Sequence, residues 1–445
     1  MSPYPTPLNT PGRLSQAISS EPATPDSGPR LVMINGRVVD PKNQVDERME
    51  LAIADGKIIE TAQSIQIRPS DRVINCQDLV IFPGLLDMHL HLGDLFDIYE
   101  SPLFKAAKDG VTLGLSPGAG NTFMAPALIG AEVDRGIPIN VGVYLGAAAV
   151  LGTSLDRTEL LALFQKTLDP DTMAQKLTRN GITNATAHLI VGVKDHMGHF
   201  IMTDENIDLL YEITSQAGLV YMSHTQDPEH AIRMALLSRG RPLHLAHATA
   251  AGCGTHGDPV RGMQSVLDLV DNEVITAEFV SSMLLENRGK RDGLKMDLKA
   301  QELALRALQD GKVSIIISDG QSGSTMKGFG DTADNLTCLF SLAERGVLSL
   351  SDAVATMTQN PAELLTKRLK SDFFKDKLGH LGTGARANIT IADPLSRKAV
   401  YTITNGIPVA FEGNLIREGF GAGGLVSKFG FTRRTGVGDL ALYSQ

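Results

Sequence analysis

Short apolar runs that alternate with longer helical segments dominate the chain between residues 83 and 382. The runs are rich in β-branched residues and lack an apolar/polar alternation, which is typical of strands buried on both faces of a parallel sheet. One run precedes His89, and the others are 112–115, 139–145, 188–193, 219–222, 244–246, 274–277 and 313–317. Eight such strands with intervening helices favour an α/β fold, a closed (β/α)8 TIM-like barrel, over an open doubly wound sheet.

Hairpin patterns flank this region on both sides. On the N-terminal side, Asn35-Gly36 and Asp55-Gly56 each separate two β-rich runs, and short β-rich runs return after residue 386. We expect residues 30–82 and 383–445 to form one small β-sandwich domain beside a barrel of residues 83–382. Residues 1–29 are rich in proline, serine and threonine, and this composition predicts a disordered N-terminal tail.

Composition excludes several classes of partner. The net charge is −9, no long basic run occurs, and tryptophan is absent, so nucleic-acid binding is not expected. No apolar run approaches the roughly 20 residues of a membrane span, so no membrane partner is expected. The three cysteines are far apart and odd in number, which argues against a disulfide framework and favours a cytoplasmic protein.

Polar residues that could bind metal follow the predicted strands. His89 and His91 lie two residues apart, so both can face the barrel axis and bind Zn²⁺, Mn²⁺ or Fe²⁺. This spacing alone is weak evidence for a metal site. Four further predicted strands, however, also end at a polar residue, namely Lys194, His224, His247 and Asp319. Singly, each could be a core histidine, a helix cap or a lysine reaching solvent. Because barrel strands end at one mouth, the six together predict a metal site.

The same residues carry a resemblance to the amidohydrolase superfamily. The run Phe82-Pro-Gly-Leu-Leu-Asp-Met-His-Leu-His91 resembles its first barrel strand, and the similarity extends over nearly the whole chain. The resemblance implies two divalent metal ions, with zinc expected and manganese or iron as alternatives. It assigns as ligands His89, His91, Lys194 in carbamylated form, His224, His247 and Asp319. The setting of Lys194 looks like that of the dihydroorotase-like and deacetylase-like branches, and argues against simple deamination without excluding it.

These assignments predict a metal-dependent hydrolase acting on carbon–nitrogen bonds. A hydroxide bridging the metals would attack an amide or cyclic amide, and Asp319 would act as the catalytic base and then as the acid. The alternatives are an ester or N-acyl amino acid deacylase and a deaminase of a small heterocycle. A barrel without activity that serves as an assembly partner is less compatible with a complete ligand set.

Residues in the loops that follow the strands are candidates for binding the substrate. They are His196, His199, His256 and Arg288. For each histidine the alternative is a surface residue, and for the arginine it is a solvated charged loop. We expect the substrate to be a small molecule and the protein to be a homo-oligomer.

Overall fold

The computed structural model describes residues 29–92, 102–117, 121–196, 202–290, 294–320, 328–419 and 421–437. Nearly all of the tail that we expected to be disordered, residues 1–29, lies outside the described residues. The strands are β1 Leu31–Asp40, β2 Val45–Ala54, β3 Lys57–Ala62, β4 Arg72–Asn75, β5 Val80–Pro83, β6 Leu85–Asp87, β7 Val111–Ser116, β8 Asn140–Gly146, β9 Gly192–Asp195, β10 Val220–His224, β11 Leu243–Ala246, β12 Ile275–Val280, β13 Ile315–Ile317, β14 Ile389–Asp393, β15 Lys398–Thr404, β16 Ile407–Phe411, β17 Asn414–Leu415, β18 Leu425–Ser427 and β19 Gly430–Thr432.

Helices follow most of the strands in the central part of the chain. The α-helices are α1 Pro102–Lys108, α2 Ala125–Arg135, α3 Ala147–Leu151, α4 Arg157–Phe164, α5 Pro170–Thr172, α6 Gly181–Thr186, α7 Asp204–Ala217, α8 Pro228–Ser238, α9 Pro259–Leu269, α10 Leu298–Gln309, α11 Asp334–Glu344, α12 Leu350–Ala355, α13 Gln359–Leu369 and α14 Phe373–Lys377. A π-helical turn spans Met173–Leu177, and 3₁₀ turns span Ala248–Cys253, Ser281–Leu284 and Arg417–Gly419. No described helix is long and apolar enough to cross a membrane.

Eight parallel strands, β6 to β13, form the barrel in chain order. A parallel bridge between Leu90 and Gly320 closes the remaining gap between the first and the eighth strand. The buried carboxylate of Asp87 reinforces this closure, since it accepts hydrogen bonds from the backbone N–H groups of Ser318 and His89 at 3.1–3.3 Å. The predicted (β/α)8 barrel is therefore confirmed.

The fourth barrel strand starts later than the sequence predicted. The apolar run began at residue 188, whereas β9 begins at Gly192. Residues 187–191 form the turn from α6 into β9, in which the N–H of Leu189 donates to the carbonyl of Thr186 at 2.8 Å. Ile190 and Val191 in this turn are buried in the main core, which explains their apolar character.

The second sheet joins both ends of the chain. Its strand order is β17-β16-β15-β14-β5-β1-β2-β3, with β4 beside β1. The junction is the antiparallel pair of β5 and β14, which starts where Pro83 faces Ile389. Its own buried core includes Met33, Leu51 and Ile403. The predicted partnership between the N-terminal and C-terminal β segments is thus present beside the barrel.

The last hairpin lies in the other sheet. Strand β18 pairs with β8 of the barrel in parallel, with Leu425 opposite Val141, and β19 pairs with β18. The sequence analysis grouped this segment with the small domain of residues 383–445. Leu425 and Val426 are buried in the main core, which explains why the hairpin packs on the barrel.

Local signals fix the ends of several barrel helices. The side chains of Asp227, Asp258 and Asp297 accept hydrogen bonds from backbone N–H groups in the first turns of α8, α9 and α10. Proline occupies the first turn of α8 and of α9, where its missing N–H has no helical partner to lose. These caps set where each loop at the barrel mouth ends.

Candidate metal centre

His89 and His91 follow β6 and converge with Asp319, which follows β13. The Nε2 atoms of His89 and His91 lie 2.9 and 3.3 Å from Oδ1 of Asp319. All three side chains are buried, and their ligand atoms lie within 4.8 Å of one another. Two imidazole nitrogens and a carboxylate oxygen at this spacing suit Zn²⁺, Mn²⁺ or Fe²⁺. The residues therefore fit a divalent cation.

Lys194 lies on β9, enclosed beside this cluster. Its Nζ atom is 2.6 Å from Nε2 of His89. Burial lowers the pKa of Lys194 to about 8, although nearby carboxylates oppose the shift. A lysine of this kind is partly neutral near pH 7, and the neutral amine is the form that reacts with CO2. The position and charge of Lys194 are compatible with the carbamate that the resemblance implies.

His224 and His247 bring two more imidazoles to the same mouth. The ring centroids of His224 and His247 are 4.5 Å apart, and those of His89 and His247 are 5.0 Å apart. Burial lowers the pKa of His224 to about 4 and that of His247 well below its usual value, so both rings are neutral, as metal ligands must be. Nδ1 of His247 is buried and has no hydrogen-bond partner among the described residues. A buried imidazole nitrogen without a hydrogen-bond partner within the protein is expected where a histidine binds a metal.

The carboxylate of Asp319 is held from both sides. Its backbone is left-handed, with φ of 48°, and its Oδ2 accepts a hydrogen bond from the N–H of Phe329 at 2.6 Å. Burial raises the pKa of Asp319, but the charge of His89 and hydrogen bonds from His89 and His91 outweigh this and hold the pKa well below its usual value. Asp319 is therefore ionised near neutral pH, with Oδ1 directed at the imidazoles.

Two further residues of the site were not assigned a role from the sequence. Glu278 on β12 is fully buried, and its Oε1 lies 2.7 Å from Nδ1 of His89. Its Oε2 lies 2.9 Å from Nε2 of His244, which is on β11. Hydrogen bonds from these histidines lower the pKa of Glu278 to about 2, against the opposing effect of burial. The available signal was a charged residue directly after the predicted strand 274–277, followed by the apolar residues Phe279 and Val280.

The histidines predicted to bind substrate lie in different surroundings. His196 follows β9 directly, and burial lowers its pKa well below the usual value. His256 is exposed in the loop after β11, with Nδ1 3.9 Å from Oδ2 of Asp227. His199 lies outside the described residues. His196 thus lies two residues after Lys194, and His256 is exposed to solvent, while the roles of both stay predictions.

Arg288 has a structural partner in its own loop. Its Nη1 donates to the carbonyl of Met296 at 2.9 Å, and its backbone is left-handed, with φ of 60°. The backbone N–H of Met296 in turn donates to the carbonyl of Arg288 at 3.0 Å. These contacts link Arg288 to Met296, so a role in binding substrate would be additional to this one.

Comparisons with known proteins agree on one family. The profile described as "Amidohydrolase family" matches residues 80–415. A dihydroorotase from Citrifermentans bemidjiense is 22% identical over 397 residues, which cover 82% of this chain and 90% of that protein. A dihydroorotase from Geobacter metallireducens is 23% identical over 411 residues, with coverages of 84% and 91%. The crystal structure of dihydropyrimidinase from Brevibacillus agri matches with a TM-score of 0.65 and 16% identity, covering 88% of this chain and 97% of that one. At this identity the structural match establishes a shared fold.

Proposed function

The chain belongs to the amidohydrolase family, and from this premise we propose that it opens a cyclic amide at a centre of two divalent metal ions. Membership confirms the predicted superfamily and the predicted enzyme class, a metal-dependent hydrolase acting on carbon–nitrogen bonds. The proposed site rests mainly on one observation. The buried side chains of His89, His91 and Asp319 meet at one point, and Lys194 lies beside them.

The proposed ligands are those at the ends of the barrel strands. They are His89, His91, Lys194, His224, His247 and Asp319, and zinc is the metal that we expect. Two bound divalent ions would supply an activated water near neutral pH and would polarise the substrate carbonyl. Carbamylation would convert Lys194 from a cation into an anion with two oxygen ligands. A positively charged ammonium would then no longer lie 2.6 Å from the nitrogen of His89 that is proposed to bind a metal.

Asp319 is the proposed catalytic residue. Oδ1 faces the centre and can accept a proton, while the N–H of Phe329 anchors Oδ2. The proton would then pass from Oδ1 to the leaving nitrogen, so that the same carboxyl group acts first as base and then as acid. The anchored Oδ2 limits rotation of the group, which keeps Oδ1 directed at the reacting atoms.

The proposed substrate is a small cyclic amide of the dihydropyrimidine or hydantoin type. This choice is supported by the names of the similar proteins, dihydroorotase and dihydropyrimidinase. The loops after β10 and β11 are linked to each other, since Nε2 of Gln226 donates to Oγ1 of Thr255 at 2.9 Å. We propose that substrate contacts come from His196, His199, His256 and Arg288.

We also propose that the protein is a cytoplasmic homo-oligomer. Cys76, Cys253 and Cys338 are all free thiols in the described structure. Free thiols are typical of a reducing compartment. Size-exclusion chromatography with light scattering would test the oligomeric state directly.

A substrate panel tests the proposed activity. The metal-loaded protein would be given a dihydropyrimidine, a hydantoin, N-acyl amino acids, carboxylic esters and an amino-substituted heterocycle, with Asp319→Asn as the inactive control. We expect ring opening to a new carboxylic acid without release of ammonia. Hydrolysis of N-acyl amino acids or esters alone would favour the deacylase alternative, and release of ammonia would favour the deaminase. No turnover of any substrate by the loaded protein would refute the proposal.

A further inference from the structure

A column of buried polar side chains runs through the barrel core next to the metal centre. This polar column consists of His89, Glu278, His244 and Thr276, and all four are buried. Apolar residues usually fill the interior of such a barrel. A carboxylate with no exposure to solvent is expensive to bury unless donors surround it. The column therefore requires a physical reason.

Each member of the polar column is linked to the next. Glu278 contacts Nδ1 of His89 at 2.7 Å and Nε2 of His244 at 2.9 Å. Nδ1 of His244 lies 2.9 Å from Oγ1 of Thr276. Nη2 of Arg368, which donates to the carbonyl of Val274 at 2.9 Å, also reaches Oγ1 of Thr276 at 3.5 Å. The chain of contacts thus extends from the metal centre to α13.

The carboxylate of Glu278 determines which nitrogen atoms of His89 and His244 carry hydrogen. An ionised Glu278 only accepts hydrogen bonds, so Nδ1 of His89 and Nε2 of His244 must both carry hydrogen. With the hydrogen of a neutral His89 on Nδ1, Nε2 is the nitrogen left to bind a cation, and this is the atom that lies 2.9 Å from Oδ1 of Asp319, so that a metal would be shared by the two groups. With Nε2 of His244 as a donor to Glu278, Nδ1 of a neutral His244 is an acceptor, and the hydroxyl of Thr276 lies closer to it, at 2.9 Å, than to the carbonyl of Leu243, at 3.3 Å. The backbone N–H of His247 adds a third donor to Oε1 of Glu278 at 3.3 Å.

We propose that Glu278 is a positioning residue for the metal centre, which fixes His89 in the tautomer and ring orientation that present Nε2 to a metal. The rest of the polar column, His244 and Thr276, holds Glu278 in place from the opposite side. A carboxylate that accepts from the far nitrogen of a ligand histidine also makes that histidine a stronger electron donor. Glu278 acts only through His89, and this inference rests on the proposed function because it requires a metal bound at Nε2.

Metal affinity is the measurement that tests this role. Glu278→Gln keeps the shape of the side chain and removes its charge, and one of its two ends becomes a donor. We expect the apparent dissociation constant for Zn²⁺, from competition with a chelating dye, to rise about 10- to 100-fold. Raising free Zn²⁺ above this weakened constant should restore the metal content, which a general folding defect would not allow.

Tyr144→Phe is the matched control. Tyr144 is also fully buried, and its hydroxyl has no hydrogen-bond partner among the described residues. Its removal should leave Zn²⁺ affinity within about twofold of wild type, since the ligand histidines lose no contact. If Glu278→Gln does not fold, Thr276→Val takes its place. This nearly isosteric change should weaken Zn²⁺ binding by more than the roughly twofold change allowed for Tyr144→Phe but by less than about tenfold, because it acts one contact further away.

The outcomes separate this inference from the proposed function. Wild-type Zn²⁺ affinity in Glu278→Gln, with an active wild-type enzyme, would overturn the positioning role and leave the proposed activity intact. If Thr276→Val has to be used, unchanged affinity in that variant would overturn it as well. An equal loss in Tyr144→Phe would also contradict the inference, because any change in the core would then suffice. A wild-type protein that binds no divalent metal would overturn both proposals together.

Discussion

Replacing Asp319 by asparagine isolates the proton-transfer role of one carboxylate. In the native site, Oδ1 lies 2.9 and 3.3 Å from the Nε2 atoms of His89 and His91, while Oδ2 accepts from the N–H of Phe329 at 2.6 Å. An asparagine has only one carbonyl oxygen. Because the Phe329 N–H can only donate, it selects that oxygen and turns the amide NH2 toward the imidazoles. The group that faces the substrate would then be unable to accept a proton.

The magnitude of the loss follows from this geometry. General acid–base catalysis contributes about 10²- to 10⁴-fold in rate. At about 1.36 kcal/mol for each factor of ten, this corresponds to roughly 2.7–5.4 kcal/mol of transition-state stabilisation. We expect Asp319→Asn to lose this amount in kcat while it keeps most of its metal, because the other predicted ligands remain.

The assay combines steady-state kinetics on a ring substrate with elemental analysis of the same samples. Asp331→Asn is the matched control, since this carboxylate lies further along the same segment and pairs with Lys105. The control should retain wild-type kcat. An Asp319→Asn enzyme that keeps its metal and more than about a tenth of wild-type kcat would refute the proposed role. A loss of kcat that only parallels a loss of metal would contradict it too.

Three further changes test the centre and the barrel around it. Lys194→Ala should lower the content of divalent metal from about two ions per chain to one or fewer by elemental analysis, and equal contents would exclude a bridging role. Burial raises the pKa of Asp87 from 3.8 to about 6, so its contribution to stability is complete below about pH 4 and is lost as the pH rises through 6. Urea unfolding of the metal-free protein at several pH values should show this decline in unfolding free energy, and Asp87→Asn should make the decline smaller. If the unfolding free energy of Asp87→Asn falls with pH as steeply as that of wild type, the decline does not come from Asp87. Gly192→Ala places a Cβ atom 2.4 Å from the carbonyl oxygen of Val220 and should cost about 1–3 kcal/mol in unfolding free energy. Gly181→Ala, with no atom within 4 Å, is its control, and an equal loss in both would contradict the argument from steric overlap.

The barrel was predictable because its strands are buried on both faces. Such strands produce uninterrupted apolar runs, and helical segments between them leave few alternatives to a parallel sheet. The prediction was less accurate at β9, where apolar residues from 188 onward form a turn that covers the barrel. Periodicity does not distinguish a buried turn from a buried strand, since both exclude polar side chains.

The last hairpin shows a second limit of the pattern. A run such as Leu425–Ser427 indicates a strand but does not show which other strand it pairs with. In the structure this strand extends the barrel sheet beside β8, while β17, only ten residues earlier, belongs to the other sheet. Pairing between distant segments is chosen by complementary surfaces and by the space left after the rest of the chain has folded.

The sequence alone determined which residues end the barrel strands, and therefore which polar side chains share its mouth. His89, His91 and Asp319 could be grouped in this way because parallel strands carry their carboxyl ends to one edge, whatever the details of packing. Tertiary structure alone decided which atoms meet. Glu278 and His244 are 34 residues apart, and a glutamate beside an apolar run does not reveal which side chains it will contact. Only the folded barrel brings this carboxylate between two histidines, because side-chain contacts across its interior depend on the register of all eight strands.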